Sequence, residues 1–366
     1  MNNSKEFEKV ALNFGPSHLN ACGKKVRDGL SSVMRLNNDL WLACDESTGI
    51  ERLTLQDDGS YGRHRSFSFS SFINLYSKEI EVDVEGISFC DNYLWFIGSH
   101  SLKRKRVKFE KGGDEKQLRR LAKVSSDPNR YLIARIPFEE DPDQEGSLML
   151  VKRKENPEKP GEYFTAAQLK GDENGNVLMD LLKMDKHIKD FIPIPGKDNG
   201  FDIEGLAVRK ERMFIGLRGP VLRGWAVILE IALDDSRETE PLTLKAFNES
   251  NTQYNKYFLD LDGLGIRELC IDGDDIIILA GPTMELKADM ALYRWIGGMN
   301  SANLVVRPEN LVFLKNIPHQ EGFDKAEGIK LYDNKNSQKR LIIVYDTPAN
   351  ERKFGENSVF ADLIEI

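Results

Sequence analysis

The stretch "GFDIEGLAVRKERMFIGLRGP", residues 200–220, sets an acidic pair, Asp202 and Glu204, ahead of a glycine and an apolar run. A short polar turn follows, then a second apolar run that ends at Arg218. Two apolar runs of this length, bounded by turn residues, read as the paired strands of a hairpin buried on both faces. The returning strand brings Arg218 back to the end where the acids start, so the charges gather on one side of the unit.

The same pattern recurs at "DGLSSVMRLNNDLWLACDES" from Asp28, "EGISFCDNYLWFIGSHS" from Glu85, "ELCIDGDDIIILAGPT" from Glu268 and "EGIKLYDNKNSQKRLIIVYDTP" from Glu327. Most copies continue into a third apolar run, as in "WAVILEIAL", "MALYRWIGG", "RYLIARIPF" and "VFADLIEI". The leading carboxylates recur about every sixty residues, except that Glu85 and Glu204 lie about two periods apart. Residues 147–198 are expected to supply a degenerate unit. Within them "NVLMDLLKMDKHIKDFI" carries Leu181, Met184, Ile188 and Phe191 at helical spacing, which predicts a helical insertion near 177–191.

Repeating strand units with little helix are the pattern of a β-propeller. The reading is a single all-β domain over 1–366, a propeller of six blades, with five or seven left open. The alternative is a β-sandwich, which near-constant register over five copies disfavours. The N-terminal "KVALNF" is expected to pair with the C-terminal unit and close the ring, which removes exposed sheet edges.

The chain has 51 basic and 59 acidic residues, a formal charge of −8, which disfavours a nucleic-acid partner because that affinity rests on phosphate neutralisation. No apolar run approaches the roughly 18 residues of a membrane span, so no membrane partner is expected. The start "MNNSKEFEKV" lacks the apolar region of a secretory signal, and a cytoplasmic location is expected. Cys22, Cys44, Cys90 and Cys270 are scattered without metal-ligand spacing; three of the four sit in apolar strand-like runs and read as small hydrophobes.

In a propeller the first strand of each blade lines the central channel. Asp28, Glu85, Glu204, Glu268 and Glu327 are then expected to ring one mouth, with Asp45, His100, Arg218 and Asp346 behind them on the returning strands. Gly86, Gly205 and Gly328 fit a narrow centre, where a side chain would crowd its neighbours. Five carboxylates around one opening need a cation, arginine or lysine partners, or raised pKa values. The five ring acids are thus candidate ligands of Ca²⁺ or Mg²⁺, which prefer hard oxygen donors. Arg27, Arg218, Arg267 and Lys325 offer the alternative neutralisation. Recurrence in every unit favours a structural latch for the ring as a whole. The non-recurring Asp202, His100, Arg218 and Asp346 are therefore the catalytic candidates.

In "GLRGPVLRGWA", Arg218 and Arg223 sit among three glycines and Pro220, a stiff loop suited to carboxylate or phosphate recognition, or one in which Arg218 neutralises Glu204. Residues 101–129 form a basic insertion between the second and third strands of the Glu85 unit. It reads first as a solvated, partly helical excursion, and second as a lid over the channel or a docking surface.

The constellation "DIEGLAV…MFIGLRGP…WAVILEI" resembles the hallmark segment of an uncharacterised bacterial family, a domain of unknown function in the β-propeller superfamily. The likeness is strongest over 198–232 and implies the fold without an activity. Asp202–Leu206 and Asp83–Ile87 also resemble the "D-x-E-G-[LI]" starts of phytase-like and esterase-like propellers. Glu85 or Glu204 resembles the metal-binding glutamate of gluconolactonase-type enzymes, whose other ligand segments have no counterpart here. The leading expectation is a mouth that binds a small polar molecule, with metal-assisted hydrolysis of an ester, lactone or phosphoester as its catalytic form. In that form Glu85, Glu204 and Glu327 hold the ion, Arg218 stabilises developing negative charge and His100 serves as acid or base. The rival is a non-catalytic scaffold for a protein partner, its carboxylates tying blades together.

Overall fold

The computed structural model describes residues 7–16, 23–44, 46–78, 80–234, 241–247, 252–284, 289–320, 322–335 and 338–366. Among the described residues the chain is mostly β-strand, and five antiparallel sheets of four principal strands follow one another along it, beside smaller two-stranded ribbons. Sheet I spans Leu30–Leu36 to Tyr61–Ser68, and sheet II runs from Val84–Cys90 to Leu148–Leu150. Sheet III begins at Asp202–Arg209 and has Tyr254–Asp260 as its outer strand; sheet IV spans Gly265–Asp272 to Leu311–Ile317.

Sheet V holds Lys325–Lys335, Gln338–Asp346 and Ser358–Glu365, and its fourth strand is the N-terminal Glu8–Asn13. That strand pairs antiparallel with Ser358–Glu365, from Glu8 opposite Leu363 to Asn13 opposite Ser358. The expected closure is therefore present. A single parallel bridge from Leu12 to Tyr61 also ties sheet V's outer edge to sheet I.

The first strands of the five sheets neighbour one another in the closed order I–II–III–IV–V–I. Apolar side chains fill the seam between each successive pair. Val33, Leu42 and Val344 lie between V and I, Trp41 and Ile87 between I and II, Ile97 and Leu206 between II and III. Phe214 and Ile276 lie between III and IV, and Ile277 and Ile343 between IV and V. Five seams for five sheets make a ring in which every sheet is covered on both faces. That is why the strands read as continuous apolar runs and not as alternating ones.

Residues 147–198 fill the interval in which a degenerate unit is expected. Among the described residues this region forms no four-stranded sheet. It contains the ribbon Arg153–Glu155 with Tyr163–Thr165, the pair Ala167–Gln168 that extends sheet II's edge, and one helix, Val177–Leu182. Asn176 caps that helix by accepting the Met179 N–H at 3.1 Å. The helix is shorter than its spacing predicts, and the buried set is Leu178, Met179, Leu182 and Ile188, while Met184 is exposed. These residues join the seam between sheets II and III, so the double interval reflects a wedge between two sheets.

Candidate functional site

Each first strand carries one extra residue near its start. The ladder slips between Leu30 and Ser32, Val84 and Gly86, Ile203 and Gly205, Ile266 and Glu268, and Ala326 and Gly328. A bulge of this kind re-aims a side chain at the rim of a sheet. The bulged residues are Ser31, Glu85, Glu204, Arg267 and Glu327, and they are the structurally equivalent set. Glu85, Glu204 and Glu327 hold the positions expected of them. Glu268 lies one residue further along its strand, and Asp28 lies three residues before the bulge. Matching carboxylates alone misaligned sheets I and IV. Matching the apolar residue two places on (Val33, Ile87, Leu206, Leu269 and Ile329) would have placed Arg267 in the ring.

A guanidinium thus replaces a carboxylate at one of five equivalent positions, between two that keep theirs. Arg267 Nε lies 2.9 Å from Glu204 Oε2, and its NH2 pairs with Glu327 Oε1. Sheet III adds a second cation through a second bulge, because its return strand slips at Arg218, opposite Asp202 and Ile203. Arg218 pairs with Asp202 through NH2, and its NH1 lies 2.5 Å from Glu204 Oε1. The hairpin of residues 200–220 is charged at both ends because two facing bulges turn an acid and a base toward one point. Both oxygens of Glu204 are taken by guanidinium groups.

Sheet II builds the same motif from other strands. Asp83, two residues before Glu85 as Asp202 is before Glu204, pairs with Arg130 NH2 at 2.9 Å. Arg130 NH1 also donates to the hydroxyls of Ser99 (3.2 Å) and Ser101 (3.0 Å). Asp83 shares the "D-x-E-G" signal of Asp202, whereas Arg130 enters from the turn before the third strand, where the hairpin pattern carries no cue.

Burial sets the electrostatics. Desolvation raises the carboxyls of Glu204 and Glu327 above the usual range, against the pull of Arg218 and Arg267 on the first and of Arg267 on the second. Asp83 is held low because Arg130 and the Ser99 hydroxyl outweigh its burial. Asp346 and Lys325, 3.9 Å apart, stand at the rim, partly exposed. Asp28 also lies on the rim, 3.0 Å from Lys353. Asp45 lies outside the described residues.

Glu268 works deeper in the channel. It accepts hydrogen bonds from Ser32 Oγ of sheet I (2.5 Å), Leu206 N of sheet III (3.1 Å) and Leu269 N of its own strand (2.9 Å). Burial pushes its carboxyl up to about 8, with Lys330, Ser32 and the two N–H groups opposing. The glycines give it room and let strands meet. A Cβ on Gly86 would sit 2.5 Å from Leu206 Cβ, and one on Gly328 would sit 2.6 Å from Val344 Cγ2 and 2.9 Å from Ser32 Cα. The narrow centre read from the glycines is real.

His100 does not join the mouth. Its Nδ1 lies 2.7 Å from Gly98 O and its Nε2 lies 2.8 Å from the Asn176 amide, so it fastens the helix cap of the wedge to sheet II. Burial lowers its pKa to about 4 and keeps the ring neutral. Two of the cysteines are acceptors at seams. Cys90 Sγ takes Lys210 N at 2.9 Å and Cys270 Sγ takes Leu331 N at 3.3 Å. Among the described residues no group of three or more His, Cys, Asp or Glu side chains is arranged to hold a metal ion. The guanidinium groups of Arg218 and Arg267 stand where such an ion would meet Glu204.

No curated protein matches the chain. Among solved structures it is similar to an exo-β-1,3-galactanase from Clostridium thermocellum (9% identity, 97% of this chain and 62% of that one, TM-score 0.42). It is likewise similar to an exo-β-1,3-galactanase from Phanerochaete chrysosporium crystallised with β-1,3-galactotriose (8% identity, 98% and 64%, TM-score 0.40). The chain spans less than two thirds of the length of either galactanase. A PQQ-bound aldose sugar dehydrogenase from Streptomyces coelicolor is similar at 12% identity, over 98% of this chain and 99% of that one, with a TM-score of 0.37. At the level of family, one match runs from residue 29, at the start of sheet I, to residue 362 in the closing strand pair of sheet V, and so takes in all five bulged residues from Ser31 to Glu327. The chain belongs to the family described as a protein of unknown function, DUF3616.

Proposed function

We propose that the chain is a five-bladed propeller acting as a non-catalytic interaction scaffold, its mouth charges serving as latches between blades. One observation carries this reading: Arg267 of sheet IV spans Glu204 of sheet III and Glu327 of sheet V, while Arg218 takes the other oxygen of Glu204. Groups that saturate one another in a buried network hold neighbouring sheets in register. A cytoplasmic setting belongs to this reading, supported by the buried free thiol of Cys270.

A second reading, a mouth that binds a small polar molecule, is favoured by the partial exposure of Glu85, Lys325 and Asp346 around the opening. Its catalytic form, hydrolysis of an ester, lactone or phosphoester with Ca²⁺ or Mg²⁺, requires Glu204 and Glu327 to exchange their arginines for the ion. Titration with either ion, followed by calorimetry and thermal unfolding, separates the readings when combined with turnover of chromogenic substrates of the three classes. The scaffold predicts neither ion-dependent stabilisation nor turnover. A saturable rise in Tm lost in Glu204→Gln, or ion-dependent turnover lost in Glu327→Gln, would overturn it.

A further inference from the structure

Residues 101–129 hold ten basic and four acidic residues, a net charge of +6, which leaves the remainder of the chain at −14. The segment leaves sheet II between its second and third strands and forms an arm. Its base is the ribbon of Lys103–Arg104 with Val124–Ser125, and its tip holds the helix Asp114–Ala122. Lys103 anchors the base to Glu81 (3.2 Å) and to Asp127, and Arg104 Nε anchors it to Asp198 (2.7 Å). The tip is braced internally. Gln117, the one buried residue of the helix, accepts from Lys108 N at 2.8 Å and donates to Gly112 O at 2.7 Å.

The apolar residues of this arm point outward. Leu118 and Leu121, three residues apart and so on one helix face, are 66% and 42% exposed; Phe109 is 82% exposed and Val124 is exposed beside them in sequence. The helix turns Lys116, Arg119 and Arg120 to other sides. The exposed Lys105, Lys108, Lys111, Lys116 and Lys123 have no acidic partner among the described residues. Protruding phenylalanine and leucine flanked by unpaired lysine suit a flat anionic surface: the apolar groups enter the headgroup boundary while the ammonium groups meet its charge. A pocket on a partner protein would instead favour a concave counterpart. The charge asymmetry adds orientation, because the acidic remainder as a whole is repelled while the basic arm is attracted within a screening length.

We infer that the arm of residues 101–129 is a peripheral docking surface for anionic lipid bilayers, with Phe109, Leu118 and Leu121 as the inserting residues. No helix among the described residues is long enough to span a membrane, so the contact is peripheral and reversible. It is independent of the channel mouth and stands whichever reading of the mouth survives.

Vesicle flotation at about 0.1 M salt tests it, with phosphatidylcholine vesicles compared against vesicles holding about one third phosphatidylserine. The full chain should float with the anionic vesicles and not with the neutral ones. Phe109→Ser combined with Leu118→Ser should cut the bound fraction at least about tenfold, and Lys105→Glu, Lys108→Glu and Lys111→Glu together should abolish it. Both variants should keep wild-type thermal unfolding, since every altered side chain is exposed. Phe109→Trp should shift its fluorescence to the blue on anionic vesicles only. Absence of flotation with anionic vesicles, or flotation that both variants retain, overturns the inference. So does retention on a polyglutamate matrix without any vesicle binding, which assigns the arm to an acidic protein.

Discussion

The channel mouth and the arm are made of the same residue types, arginine, lysine, glutamate and aspartate, and they use them in opposite ways. At the mouth Arg218, Arg267, Glu204 and Asp202 are buried, and each finds its partner on another strand or another sheet. In the arm five lysines face solvent without an acid among the described residues, and the helix carries the exposed pair Arg119 with Glu115 at 2.8 Å. The difference lies in the dielectric. In a desolvated site, removing one member of a pair strands the other as an uncompensated charge, whereas water screens the exposed pair. Charge becomes glue where the backbone has carried it out of water, and recognition surface where it has not.

Arg267→Met puts the largest strain on this contrast. It leaves Glu204 short of one partner and Glu327 facing sheet IV without its guanidinium, and unfolding free energy should fall by about 3–5 kcal/mol in urea titration. The matched change Arg119→Met in the arm should stay within about 0.5 kcal/mol. Equal effects would remove the distinction between the two regions.

The close approach of first strands gives the next effect. Gly328→Ala meets the backbone of Ser32 and Val33 at 2.9 Å as well as Val344, and should cost about 1–3 kcal/mol. Gly205→Ala meets Leu269 Cγ at 3.0 Å and backbone only at 3.2 Å and beyond, and should cost less. A reversed order would show that the seam between sheets III and IV, not that between V and I, is the tighter one.

The smallest effect concerns protons. Glu268 has its pKa raised on folding from an ordinary 4.5 to about 8, so between those values the folded chain binds the proton that the unfolded chain has released. Stability from this group is therefore full at low pH and declines as pH rises, levelling above about 8. Glu268→Gln keeps an acceptor for the Leu206 and Leu269 N–H groups and gains a donor for Ser32. Wild type should lose about 1–2 kcal/mol more than this variant between about pH 6 and 8. Parallel pH profiles for the two proteins would show that Glu268 is already ionised in the folded chain.

How much of this was legible follows from what repeats. The five sheets announce themselves because each first strand ends a turn with a carboxylate or small residue and continues in an apolar run. The closing pair of Glu8–Asn13 with Ser358–Glu365 is visible because a lone apolar strand at one end needs a neighbour. The number of units is not legible from spacing, which measures chain length and not sheet count: residues 101–129 and 147–198 both lengthen the interval between Glu85 and Glu204. The site was half legible: Glu204, Glu327 and Arg218 join one ion-pair network through Arg267, while His100 turns away to hold Asn176 and Glu268 drops one step into the channel.

Local sequence by itself determined strands, turns and the side of each hairpin on which charge collects, because turn chemistry and apolar run length act within a few residues. Which acid meets which base was decided only when five bulges came around one axis. The pairing of Arg267 with Glu204 and Glu327, or of Arg130 with Asp83, depends on single-residue slips in separate ladders and on burial shared by strands 47 to 63 residues apart. Register slips and shared desolvation are properties of the assembled ring, and no window of the chain contains them.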